Sequence, residues 1–206
     1  MIISRQKEFK DILKAIEARD IFIIGCGKCA TKQHVGGEPE VLEMKKKLIG
    51  SGKNVVGWAV LSSACNLSSW DEVLSQNPGI EKAEALLVMS CGGGVSIISA
   101  LAERAVYPAL DTESLGGVCR DEVVLEQCGL CGECDIQVFG GICPVGQCPK
   151  GMRNGPCGGA VEGKCEVDER KCVWDEIYER LKSLGRLEDI KHIHGPKDHS
   201  KRGRKN

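Results

Sequence analysis

The stretch IFIIGCGKC, Ile21–Cys29, sets four bulky apolar residues against a glycine turn that carries two thiols. Four such residues are too few for a helix. Bounded by Gly25 and Gly27, they read as a strand of a sheet buried on both faces. Helices and strands alternate on either side. Upstream, Phe9, Ile12, Leu13 and Ile16 fall at helical spacing, which predicts a helix over 5–18. Downstream, Val41, Leu42, Leu48 and Ile49 place a helix over Glu38–Ile49, stopped by Gly50 and Gly52. NVVGWAVL, Asn54–Leu61, and ALLVMS, Ala85–Ser90, are the second and third strands. Val106–Leu110 is a fourth, at an edge because Pro108 cannot donate to a ladder. Ser69 and Glu72 have capping-box spacing and predict a short helix through Leu74, ended by Pro78-Gly79. Val95–Ala105 predicts another helix. The class is therefore α/β: a small, Rossmann-like domain over residues 1–118, with a parallel sheet covered on both faces.

Composition narrows the function classes. The chain has 206 residues and a formal net charge of −1, which gives no support for nucleic acid or a membrane surface as partner. Hydrophobic residues make up 42% and aromatics 4%, so the core is built from Val, Ile, Leu and Ala. No apolar run approaches the ~20 residues of a membrane span. The N-terminus MIISRQKEFKDILKAIEARD lacks the uninterrupted apolar stretch of a signal peptide, so a cytoplasmic protein is expected. Reduced thiols are the rule there, and the 13 cysteines, an odd number, point to metal or redox chemistry rather than disulfides.

Each of the first three strands delivers thiols at its carboxyl end. Cys26 and Cys29 follow the first, Cys65 the second and Cys91 the third. Ligands bind at that edge of an open parallel sheet. One such Cys alone would be a small buried hydrophobe. Four at equivalent positions suit a [4Fe–4S] cluster or a zinc ion. Gly25, Gly27, Gly92, Gly93 and Gly94 let backbone N–H groups approach such a centre. A phosphate loop is the rival, but GCGKCAT is not GxxxxGK[ST] and CGGGVS is not GxGxxG. His34 reads as a solvated loop residue.

Residues 119–185 form a different kind of module, cysteine-rich, metal-stapled and with little regular structure. Its cysteines stand at 119, 128, 131, 134, 143, 148, 157, 165 and 172. Glycines punctuate the gaps, and too little apolar surface is available to offset the entropy of ordering the chain. Metal staples are therefore expected. Cys128-x2-Cys131-x2-Cys134 opens like a bacterial ferredoxin motif, whereas a zinc ribbon uses two separated CxxC pairs. The Cys-Pro that closes the ferredoxin motif comes later here, at Cys143-Pro144 and Cys148-Pro149. The eight from Cys128 to Cys172 are enough for two four-thiol sites, and the spacing leaves their division open. One zinc in place of one cluster also stays open. Val173, Trp174, Ile177, Tyr178, Leu181 and Leu184 predict a closing helix capped by Gly185. Asn154-Gly155-Pro156 reads as a turn, with hydrogen bonding by Arg153 and Asn154 to a cluster or partner as the alternative. The basic tail, 186–206, is expected to be disordered.

These motifs together, GCGKCATKQHVGGEPEV, SCGGGV and CGLCGEC…GGICPVGQCPKGMRNGPCGG…GKCEVDERKCVWDEIYERL, resemble the methylenetetrahydrofolate reductase C-terminal domain family. Its members include the MetV-type iron–sulfur small subunit of a two-subunit reductase. The resemblance implies two or three [4Fe–4S] clusters that exchange electrons with the flavin of a TIM-barrel catalytic subunit, fed by an external electron donor protein. It implies ligand roles for Cys26, Cys29, Cys65 and Cys91, and for the eight cysteines from Cys128 to Cys172. Cys119 has no counterpart in a ligand motif. The residues agree in kind: no nucleophile with a partnered His and no general base stand out. The expected role is an electron conduit without catalysis of its own. The alternatives are a structural zinc scaffold, and a carrier for a different flavoprotein or a corrinoid protein.

Overall fold

The structure, a computed structural model, describes residues 1–119 and 122–199, apart from the side chains of 118–125. It divides into two units, one ending at Glu113 and the other beginning at Ser114.

The first unit is the expected α/β layer. In chain order its elements are β1 (Ile2–Gln6), α1 (Phe9–Ala15), β2 (Asp20–Cys26), α2 (Cys29–Lys32), α3 (Glu38–Gly50), β3 (Asn54–Leu61), α4 (Leu67–Gln76), β4 (Ala85–Met89), α5 (Gly92–Leu101) and β5 (Ala105–Pro108). Strands β3, β2, β4 and β5 form a four-stranded parallel sheet in that order, with β2 paired to both β3 and β4. The Pro108 strand is at the edge, where a missing N–H costs nothing. Alternation on the strands builds two cores. Phe22, Ile24, Leu86 and Val88 pack with Trp70 and Val73 of α4 and Ile98 of α5. Ile21, Ile23, Leu87 and Met89 pack with Ile12 of α1 and with Val41, Met44 and Leu48 of α3. Burial of each such side chain stabilises the unit by ~1.5–3 kcal/mol.

Three local readings are corrected. The first helix is shorter than 5–18, because Ile2–Gln6 is a strand: Ile3 is buried, and the Ser4 amide donates to Gln33 Oε1 at 3.0 Å. The cap of α4 is Asn66, whose side chain accepts from the Ser68 amide at 3.1 Å. Ser69 is buried instead, with its hydroxyl 2.8 Å from that of Ser62. Helix α5 ends at Leu101 and β5 begins at Ala105, inside the expected helix.

Strand β6 (Leu110–Cys119) runs into the second unit, where it pairs antiparallel with β7 (Glu122–Cys128); Leu115 faces Cys128 and Gly117 faces Val124. The rest of the unit is loops around a short helix, α6 (Pro144–Gln147), and a longer one, α7 (Val173–Ser183). Phe139, Val173, Trp174, Ile177 and Leu181 form its buried core, so four of the six stripe residues on α7 pack inward, whereas Tyr178 and Leu184 are exposed. Gly185 follows at φ 68°. The described part of the tail carries a 3-10 turn over Leu187–Lys191 and hydrogen bonds to the module as far as Asp198. Residues 200–206, expected to be disordered, lie outside the described residues. No helix among the described residues is long and apolar enough to cross a membrane.

Candidate metal centre

The eight cysteines from Cys128 to Cys172 surround two cavities, four to each. Cys128 ends β7, Cys131 and Cys134 sit in the loop that follows, and Cys143 immediately precedes Pro144 at the start of α6. These four line a cavity of about 330 Å³, together with Leu130, Ile136 and Val145. Leu130 adopts φ 53°, a left-handed conformation that costs a residue with a Cβ ~1–2 kcal/mol. The Leu130 amide donates to Cys128 Sγ at 3.3 Å. The Cys131 thiol reaches the Glu133 carbonyl at 3.4 Å.

Cys148 caps the C-terminus of α6, and Cys172 precedes the first turn of α7. With Cys157 and Cys165 they line the second cavity, about 20 Å³, against Trp174. Two β-bridges, Val161 to Lys164 and Lys164 to Lys171, fold the 157–172 segment back on itself. The Cys165 amide donates to the Arg170 carbonyl at 2.7 Å and the Cys172 amide to the Gly163 carbonyl at 2.8 Å. The Gly159 amide donates to Cys157 Sγ at 3.4 Å. Trp174 Nε1 donates to the Met152 carbonyl at 2.8 Å, which fixes the segment between Cys148 and Cys157.

The four-residue helix α6 separates the quartets: Cys143 and Cys148 lie at its two ends. The sequence leaves the fourth member of the Cys128-Cys131-Cys134 set open. Cys143 lines the same cavity as those three.

Charged side chains flank both sites. Lys150 pairs with Glu166 beside Cys157, and the Cys157 thiol points at Glu166 Oε1 from 3.7 Å. The Lys150 hydrogen bond holds the Glu166 carboxyl below its ordinary value, and the same bond raises the Lys150 ammonium. Beside the first quartet, Asp135 accepts from Arg153 Nη2 at 2.5 Å and from Lys197 Nζ at 2.8 Å. Burial pushes the Asp135 carboxyl up, but these two cations outweigh it and the net shift is downward. Composition and spacing carry no sign of this network, because its members Asp135, Arg153 and Lys197 lie far apart in sequence. Asn154 bonds not to a cysteine loop but to His194, carbonyl and amide both at 2.9 Å.

In the first unit the strand order places three cysteine-bearing loops at one edge. Cys26 is buried at the end of β2, with Sγ 3.5 Å from the Ala64 amide. Cys29 opens α2 and Cys91 precedes α5; both are half-buried. Cys65, exposed, follows β3, with Sγ 3.4 Å from the Ser63 hydroxyl. The sheet order changes direction at β2, the position where open α/β sheets hold ligands.

Among the described residues, no three Cys, His, Asp or Glu converge closely enough to hold one metal ion. Four thiolates on zinc, each ~2.3 Å from the ion, must be drawn close together. A cluster of several irons holds its four cysteine sulfurs farther apart. The first quartet, spread around about 330 Å³, fits the larger group. The second has the same donors, but its cavity of about 20 Å³ has room for a single water. A cluster there requires the walls to part; a single ion requires the sulfurs to close in.

Residues 107–200 match the family model for the methylene-tetrahydrofolate reductase C terminal. The matched segment contains both quartets of the second unit. No curated protein and no solved structure matches the chain.

Proposed function

We propose that this chain is an electron-transfer subunit carrying [4Fe–4S] clusters, which exchanges electrons with the flavin of a TIM-barrel methylenetetrahydrofolate reductase subunit. One observation carries the reading: the segment that matches the reductase C-terminal family also gathers the eight cysteines from Cys128 to Cys172 into two four-thiol cavities. Cys128, Cys131, Cys134 and Cys143 are the ligands of one centre, and Cys148, Cys157, Cys165 and Cys172 those of the other. Cys26, Cys29, Cys65 and Cys91 are the candidate ligands of a third. An external protein supplies or accepts the electrons.

When bound, the clusters supply one-electron transfer, which thiolate and peptide groups do not support by themselves. The chain's own residues hold and tune. The Leu130 and Gly159 amides donate to cysteine sulfur and stabilise thiolate charge. Leu130, Ile136 and Val145 give the first site apolar walls, and Trp174 lines the second. The small second cavity favours a single zinc at that site as the second reading. Cys131→Ser and Cys165→Ser, each followed by anoxic reconstitution and metal analysis, test the assignment. Loss of iron from each variant supports two clusters. Loss of zinc from the Cys165 variant alone supports the mixed centre. Full retention of metal in both sinks the ligand sets.

A further inference from the structure

The Cys131–Cys134 loop lies between strand and helix, where nothing in regular secondary structure fixes it. Residues 194–198 of the basic tail cross it. Lys197 Nζ donates to the Glu133 carbonyl at 2.5 Å and to Asp135 Oδ1 at 2.8 Å. The Asp198 amide donates to Glu133 Oε2 at 2.9 Å. The tail is itself gripped from the 148–157 segment, because Asn154 pairs with both backbone groups of His194 and Arg153 bonds the Gly195 carbonyl. The His194 ring packs on Phe139 with centroids 5.1 Å apart. Only 9% of the Lys197 side chain is exposed, and the same holds for His194. A lysine so buried, with its ammonium on a loop carbonyl, is costly unless every bond it makes is kept.

We propose that residues 194–198 are a strap that holds the first cysteine loop in its ligating shape, with Lys197 as the positioning residue. A second feature supports the role. The Glu133 carbonyl that Lys197 grips also faces Cys131 Sγ at 3.4 Å. Once that sulfur binds iron as a thiolate, it no longer donates, and carbonyl and sulfur repel. The Lys197 ammonium sits on the same oxygen and offsets that repulsion. The metal part of this inference rests on the proposed cluster; the positioning part does not.

The test is amide hydrogen exchange on the full chain, reconstituted and metal-free, in wild type, Lys197→Ala, Lys197→Arg and a chain ending at Ile193. Iron release to a chelator is followed in parallel. Loss of the two charge-assisted hydrogen bonds of Lys197 predicts exchange at least about tenfold faster over 129–136 in the alanine chain, and no slower in the truncated chain, which also loses the Asp198 amide bond. Exchange in α7 stays unchanged, and the arginine variant falls between. Iron leaves the first quartet faster in the same order. Unchanged exchange over 129–136 overturns the strap. Should the alanine chain unfold, Lys197→Gln is measured, and wild-type exchange there overturns it equally. A wild-type chain that binds no iron removes the cluster while leaving the exchange result to decide the strap.

Discussion

Gly146 lies flat against the backbone of Cys128: a Cβ at 146 would stand 2.9 Å from the Cys128 Cα and 2.8 Å from the Gly129 amide nitrogen. The close approach seats α6 directly on the end of β7, and through it sets Cys143 opposite Cys128. The neighbour is backbone and cannot swing aside. Gly146→Ala is therefore expected to destabilise the second unit by ~1–3 kcal/mol. It also displaces Cys143 and lowers iron bound at the first quartet. Thermal unfolding with metal analysis checks both effects. Gly50→Ala is the control, because nothing lies within 4 Å of a Cβ there. It should leave iron unchanged.

Trp174 joins the core of the second unit to its second quartet. Its ring packs edge-on to Phe139 with centroids 5.8 Å apart, and its Nε1–H holds the Met152 carbonyl. Trp174→Phe leaves that carbonyl without its donor and is expected to cost ~1–3 kcal/mol. Metal should be lost more readily from Cys148, Cys157, Cys165 and Cys172 than from the first quartet. Equal loss from both would show that the indole acts on the whole unit instead.

The tail contact should respond to acid. Burial, with the Arg153 charge adding to it, holds the His194 imidazole below its ordinary 6.5, against the opposing pull of Asp135. His192 and Lys197 also face the ring and lower it. The unfolded chain takes up a proton near 6.5, the folded chain only at lower pH. The stability of the neutral ring is thus present above 6.5 and is lost as pH falls through the folded value. An NMR titration of His194 should give a midpoint below 6.5. A midpoint at or above it contradicts the buried, neutral ring.

The sequence made the first unit legible because its signals are local. The apolar run of β2 and the register of α3 each appear within a dozen residues, and both elements stand where periodicity puts them. Strand β1 was hidden because Ile2 and Ile3 adjoin the helical spacing of Phe9 to Ile16. Asn66 is hard to see as the cap in the sequence because Ser69 and Glu72 stand at capping-box spacing three residues on. The first quartet was three-quarters legible from the tight Cys128-Cys131-Cys134 series. Its fourth member was not, since Cys143 and Cys148 are both followed by proline. Only the placement of α6 sends one each way. The division of the remaining thiols depends on the bridges at Lys164, contacts that no spacing rule encodes.

The metal sets predict independent losses. Cys128→Ser, Cys131→Ser or Cys134→Ser should abolish the first centre's signal and block reduction of a partner flavin by an external donor. Cys157→Ser or Cys172→Ser should leave that signal in place. Electron paramagnetic resonance of the reduced variants separates the two centres. Simultaneous loss of both signals from any one variant contradicts the division at α6.

Iron and sulfide content of the full chain, purified without oxygen, decides the central claim most directly. Four-thiol centres predict about four iron and four sulfide for each [4Fe–4S] group, so about eight of each from the second unit and about four if its second site takes zinc. The preparation should be brown and should lose iron on Cys131→Ser. A colourless chain without iron, even after anoxic reconstitution with iron and sulfide, contradicts the account.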